Sequence, residues 1–392
     1  MSISVVSLGG TVNSFMNHAE ALSVDGPLGE LQRTQVATTL LDSLGEEDCE
    51  VFAPVWGMSE EFTDAEWFMV AGWLRQHIAE RHPDGVILLH GTDTLEWTAA
   101  ALSFLLAPPV VPDFLSVPVV LTGALVPAGL PGSDAGANLA GALTAARTLP
   151  PGVYVSFCGS AVGESQVHVG ARVTKSSLEA PAFTSVSVPP VGVADMFGAI
   201  TVDTKWVRHL GDRFPVDHPF DVLAHVGDNL AAAPRLREFT PAALLGDPAG
   251  KVAVVDVTPM TDWGMLTGQV ENYAAHGTGG VVLRLYLSGT APSNNEASAV
   301  TFVRECVAHH IPVVGVLPSP QWRTPPEYES SRLLVGAGLR TYQTMTLPAA
   351  VTKLAAALYV ATQMEPEPSA ERYALTHAVM SIPFNHEFSM SL

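Results

Sequence analysis

The sequence predicts an α/β protein: a large N-terminal domain with a mostly parallel sheet flanked by helices, then a smaller C-terminal α/β domain. Three observations carry this. Short aliphatic runs alternate with longer segments of helical period, the pattern of βαβ units. Runs such as VILLH are apolar throughout, as strands covered on both faces require. At 392 residues the chain exceeds one ordinary core and suits two compact domains.

In the first half the predicted strands are Ile3–Ser7, Val51–Val55, Val86–His90, Val117–Thr122 and Val153–Phe157. Amphipathic stretches near 29–43, 64–81, 94–107 and 134–148 lie between them and predict helices. Thr63 and Glu66 have capping-box spacing, and Pro83-Asp84-Gly85 closes the same helix in a turn. From about 190 to 250 prolines and mixed polar residues displace the periodicity. A second series then follows: Lys251–Val257, a helix near 264–276, Gly280–Leu287, a helix near 294–309, Val313–Leu317 and a helix near 347–363. The tail after Gln363 (EPEPSAER) reads as a surface strap or mobile terminus. The expected division is a large catalytic domain over 1–205, an extended connection over 206–250 and a small α/β domain over 251–392.

Composition narrows the function classes. A 47% hydrophobic content excludes wholesale disorder. Acidic residues outnumber basic ones 39 to 19, for a formal charge of -20, and no basic run interrupts them. Nucleic acid and an anionic membrane are therefore poor partners. Three cysteines without a CxxC fit reduced thiols, and no cluster has zinc-ligand spacing, so no metal is expected. The opening MSISVVSLGGTVNS has no positive n-region, so a signal peptide is not expected and the location predicted is cytoplasmic.

In open α/β sheets, sites form in loops leaving the carboxyl ends of strands. Three such loops carry chemistry here. Gly9-Gly10-Thr11-Val12-Asn13-Ser14 follows the first strand, although a GGT triplet alone is usually a turn. His90-Gly91-Thr92-Asp93-Thr94-Leu95-Glu96 follows VILLH and opens a helix. A helix-start acid accounts for one of its polar residues and leaves the rest unexplained. His90 alone reads as a satisfied core histidine. The third loop, Gly170 to Ser177, holds Lys175, one of only four lysines in the chain. An ordinary lysine is a solvated surface charge.

Taken together and in order, SLGGTVNS, HGTDTLEWTAAALSFLL and RVTKSSLEAPAF resemble the two threonine motifs and the catalytic-lysine segment of the bacterial-type L-asparaginase family, and YESSRLLVGAGLRTYQTMTLPAAVTKLAAAL resembles the C-terminal segment of its cytoplasmic type. GMSEEFTDAEW resembles that family's substrate-serine loop, and VVLTGALVPAGLPGSDAGANLAGAL the strand, hinge and Asp/Asn segment after the second motif. The likeness is strong over roughly 1–190 and looser beyond. It implies hydrolysis of the side-chain amide of L-asparagine, or a close analogue, to aspartate and ammonia through a threonine acyl-enzyme, without a cofactor.

The resemblance also implies roles. Thr11 would be the nucleophile, with Thr92, Asp93 and Lys175 as a hydrogen-bonded relay. Gly10, Ser59, Glu60, Gly91 and Ala124 would bind substrate. Thr290, in a loop that serves a neighbouring subunit in relatives, would complete the site and implies a homodimer or homotetramer. The segment from about Ser14 to Leu31 would be a lid. Departures lie in the substrate shell: residues 15–35 lack the family's usual tyrosine, Glu60 replaces a neutral polar residue, Val126 an arginine, and Thr290 an asparagine. Alternatives are therefore a relative acting on glutamine, D-asparagine or an amide in a peptide or biosynthetic intermediate, or a catalytically weak amino-acid-binding protein. Thr92 as primary nucleophile is the competing assignment.

Overall fold

A computed structural model describes residues 1–13, 15–16, 22–23, 30–106, 115–159, 163–195, 199–203, 251–318, 328–382 and 385–387. These fall into two compact units, one covering the first half of the chain to residue 203 and one covering residues from 251 onward. The predicted 206–250 connection and most of the predicted lid lie outside the described residues.

The first unit is built on an eight-stranded sheet. Its parallel part comprises β1 (Ile3–Ser7), β4 (Cys49–Phe52), β5 (Gly85–Leu89), β6 (Pro118–Thr122) and β7 (Gly152–Cys158), in the order β4-β1-β5-β6-β7. β2 (Phe15–Met16) and β3 (Leu22–Ser23) form a separate antiparallel pair within the predicted lid segment. Every residue of β1, β5 and β6 is buried, because helices cover both faces. One face packs on α1 (Glu30–Leu44) and α4 (Ala135–Thr148), through residues such as Ala37, Leu41, Leu139 and Leu143. The other packs on α2 (Asp64–Arg81) and α3 (Leu95–Leu106), through Val70, Leu74, Ala99 and Leu102. The α2 start carries the predicted capping box: Ala65 donates to the Thr63 hydroxyl at 3.3 Å, and Thr63 N–H to Glu66 at 2.7 Å.

Strands β8 (Glu164–Val169), β11 (Gly192–Asp195) and β12 (Ile200–Val202) extend the sheet antiparallel beyond β7, and β9 (Val173–Lys175) pairs with β10 (Phe183–Ser185). None of these five was predicted. They are short and their burial is mixed, so no long apolar run announces them. The chain leaves β1 for β4 on one side and returns to β5 on the other, so the sheet order reverses between β1 and β5. A crevice opens at such a reversal, beyond the carboxyl ends of the two strands.

The second unit has four parallel strands in chain order: β13 (Lys251–Asp256), β14 (Thr278–Arg284), β15 (Val313–Val316) and β16 (Arg340–Thr341). Its core gathers Val281, Leu283, Val313, Phe302 and Leu339. The single helix predicted near 264–276 is two, α5 (Trp263–Gly268) and α6 (Val270–Ala275), interrupted beside Gly268, a poor helix former. The helix predicted near 294–309 is shorter, α7 (Ala299–Ala308), because Ser298 caps it by accepting from Thr301 N–H. Two further helices, α8 (Glu329–Ala337) and α9 (Leu347–Met364), precede the tail.

The strap reading of the tail is wrong. Residues Ala370–Met380 form α10, capped by Ser369, with Leu375, Ala378, Val379 and Met380 buried. Beyond it the wholly buried Lys353 ammonium donates to the Glu387 carboxylate and the Ile382 carbonyl. Buried charge is tolerated only when paired in this way, so the described end of the chain is tied into its unit. No helix among the described residues is long and apolar enough to cross a membrane.

Candidate active site

Three loops meet at the carboxyl end of the β1–β5 pair, and glycine is what lets them meet. Gly9 and Gly10 have φ of +97° and +76°. A Cβ on Gly9 would lie 2.2 Å from the Gly57 carbonyl oxygen, and one on Gly10 only 2.3 Å from Gly91 Cα. A Cβ on Gly91 would in turn lie 2.4 Å from Ser59 Oγ. Backbone hydrogen bonds close the same contact, from Leu8 to Leu89 at 2.9 Å and from Gly57 to Leu8 at 3.2 Å. Thr11 follows Gly10 and Thr92 follows Gly91, so the two threonines leave one backbone contact at adjacent positions. Gly10→Ala is therefore expected to cost about 2 kcal/mol or more, from combined strain and overpacking. Denaturant unfolding of the variant measures this.

The second loop and the lysine strand form one hydrogen-bonded group. Lys175 Nζ donates to Thr92 Oγ1 at 3.0 Å and to Asp93 Oδ1 at 2.6 Å. The lysine side chain is 14% exposed and Asp93 65% exposed, so the pair has a protein-facing and a solvent-facing end. Thr92 is buried, and Thr11 is half-buried at the start of a short 3-10 turn. Ser59 is buried in the turn Ser59–Glu61, and its carbonyl accepts from Thr94 Oγ1 at 2.6 Å. Glu60, next to it, is exposed.

Ala124 is buried just beyond β6. Its loop is held by Asp134, which accepts from the N–H groups of Leu125 at 2.9 Å and Val126 at 3.0 Å. Asn138 adds a bond to the Gly123 carbonyl at 2.9 Å. Of the sequence-derived site residues, Gly10, Thr11, Ser59, Glu60, Gly91, Thr92, Asp93, Ala124 and Lys175 all sit on these loops of the first unit. Thr290 belongs to the second, where its carbonyl closes a turn by accepting from Tyr286 N–H at 3.1 Å.

His90 stays a core histidine. Its Nδ1 bonds the Gly91 carbonyl at 2.7 Å, and its Nε2 faces Thr98 Oγ1 at 2.9 Å. Trp67 Nε1–H donates to the same hydroxyl at 3.0 Å. A carbonyl only accepts, so the ring carries its proton on Nδ1, and Thr98 donates to Nε2. Burial pushes the imidazole down to about 4, from an ordinary 6.5. Between those values the unfolded chain gains a proton that the folded chain refuses. Stability is thus intact above 6.5 and lost as pH falls toward 4, by about 3 kcal/mol for such a group. Burial holds His168 and His377 near 4 in the same way. The thermal midpoint should fall between pH 7 and pH 4, and less steeply in His90→Gln.

One residue of the site was present in the sequence motif yet assigned no role there. Glu96, in the first turn of α3, accepts from the backbone N–H of Lys175 and from the Thr174 hydroxyl. A helix-start acid is an adequate reading of it from sequence, and only the fold reveals where its carboxylate points. Asp134 and Asn138 were likewise visible only as a segment.

Comparison with known proteins identifies the family. A family model described as "Asparaginase, N-terminal" matches residues 2–208, just over half of the chain. An L-asparaginase of Thermococcus kodakarensis is 39% identical over 140 residues, 35% of this chain and 37% of that protein. A glutamyl-tRNA(Gln) amidotransferase subunit of Methanococcus maripaludis is 31% identical over 221 residues, 54% of this chain and 48% of that protein. The chain thus spans less than half the length of these two curated relatives. Among solved structures, the thermostable L-asparaginase of T. kodakarensis superposes with a TM-score of 0.71 at 24% identity, covering 100% of both chains. L-asparaginase I of Vibrio cholerae gives 0.68 at 21% identity, covering 99% of each. At these identities the likeness is one of fold.

Proposed function

We propose that this chain, which belongs to the asparaginase family, hydrolyses the side-chain amide of L-asparagine or a close analogue, releasing ammonia through a threonine acyl-enzyme. The observation that carries the reading is the Lys175 ammonium bonded to both Thr92 and Asp93, on a loop packed against the Gly10–Thr11 turn. A threonine hydroxyl is a weak nucleophile and needs a neighbour to take its proton. A lysine serving only as a surface charge would have no reason to bond a buried hydroxyl.

In this mechanism Thr11 Oγ1 forms a bond to the amide carbon; the Lys175 ammonium gives a proton to the departing nitrogen and is restored by the Thr11 proton passed through Thr92. The C–N bond breaks and ammonia leaves. Water then attacks the ester carbon, giving the carboxylic acid and restoring the Thr11 hydroxyl. Backbone N–H groups near Thr92 and Ala124 face the developing oxyanion. Ser59, Glu60 and the solvent-facing side of Asp93 hold the amino acid's own carboxylate and ammonium. Thr290 belongs to the same proposal as a group supplied across a homodimer or homotetramer interface.

A second reading rests on the match to the amidotransferase component, which covers more of the chain than the match to the curated T. kodakarensis L-asparaginase. In it the amide belongs to glutamine or a larger intermediate. Ammonia release from L-asparagine, D-asparagine, L-glutamine and a peptide-borne asparagine separates the readings. Turnover of L-asparagine above the others supports the first. Preference for glutamine moves the assignment to the second, and no release from any amide leaves a binding protein.

A further inference from the structure

The five-residue stretch Thr92–Glu96 grips Lys175 twice. Thr92 and Asp93 take its ammonium, and Glu96 takes its main-chain N–H. A first-turn acid that serves only its own helix would accept from that helix's free N–H groups. Glu96 instead spends its carboxylate on β9, 79 residues along the chain, on the Lys175 amide and the Thr174 hydroxyl. The carboxylate is half-buried, and burial raises its pKa while the β9 donors oppose the rise.

We propose that Glu96 is a positioning residue: it fixes the Lys175 backbone against the start of α3, so that the ammonium reaches Thr92 and Asp93 together. The physical need is reach. A lysine side chain has four rotatable bonds, and two simultaneous contacts at 3.0 Å and 2.6 Å require its Cα to be held at one distance from the loop. Without the Glu96 bond the Lys175 N–H loses its hold on the start of α3, the Lys175 end of β9 shifts, and the ammonium exchanges its two contacts for water.

This rests on the amidohydrolase reading for its kinetic arm only, so two arms are measured on the full chain. In steady-state ammonia release, Glu96→Ala should lower kcat at least about tenfold with KM within about twofold, the pattern of lost alignment rather than lost binding. Glu96→Gln, which keeps an acceptor oxygen, should recover most of that kcat. In competitive labelling with acetic anhydride, read by peptide mass spectrometry against exposed Lys251, Lys175 should become about fivefold more reactive in Glu96→Ala and return toward wild type in Glu96→Gln, as its contacts loosen and reform. Glu96→Asp, one methylene short, carries the same test if the alanine variant does not fold. Unchanged Lys175 labelling in the variants overturns the proposal, with or without a kinetic loss. If wild type releases ammonia from no amide, the functional reading falls, while the labelling arm still decides whether Glu96 positions Lys175.

Discussion

Thr11→Ala should lower kcat at least about a thousandfold while leaving the fold intact, because the covalent step disappears and the binding contacts remain. The position favours a clean experiment. Thr11 is half-buried at the end of a tight turn whose geometry is set by Gly9 and Gly10, not by the threonine side chain. Losing a hydroxyl and a methyl there disturbs no core residue. Circular dichroism and the unfolding midpoint should match wild type, with KM little changed. A loss confined to KM would mean that Thr11 binds substrate without attacking it.

Lys175→Met should cost kcat comparably. Methionine replaces the aliphatic stem and removes the charge, leaving Thr92 Oγ1 without its 3.0 Å donor. The other partner, Asp93, is 65% exposed, so water solvates the carboxylate left behind. Stability should therefore change little, unlike the several kcal/mol lost when one member of a fully buried pair is removed. The double variant should be hardly slower than either single one, since members of one relay do not contribute independently. Additive losses would show that Lys175 acts apart from Thr11.

The parallel strands were legible because both faces of β1, β5 and β6 are covered, which forces continuous apolar runs into the sequence. β8, β11 and β12 carry no such mark: they pair antiparallel at the end of the sheet, and alternating or short patterns there resemble loop. Helix α10 was hidden for a different reason. The polar stretch EPEPSAER runs into its first turn, and its buried side shows only once Leu375 and Val379 pack.

At the site, Gly10, Gly91 and Lys175 stood out through their motifs. Gly57 did not, although its carbonyl abuts Gly9, because a glycine before Met58 announces no turn type. Glu96 illustrates the general limit. Its residue type and place at a helix start are local facts, whereas its acceptor role depends on a strand 79 residues away.

Locating the acyl group tests the central claim most directly. Wild-type protein is quenched during turnover of a slow amide or ester substrate, digested, and its Thr11 and Thr92 peptides are weighed by mass spectrometry. A substrate-derived acyl group on the Thr11 peptide, absent in Thr11→Ala, is the result expected. An adduct on Thr92 that persists in Thr11→Ala would reverse the assignment, and turnover with no adduct on either threonine would replace the acyl-enzyme with direct attack by water.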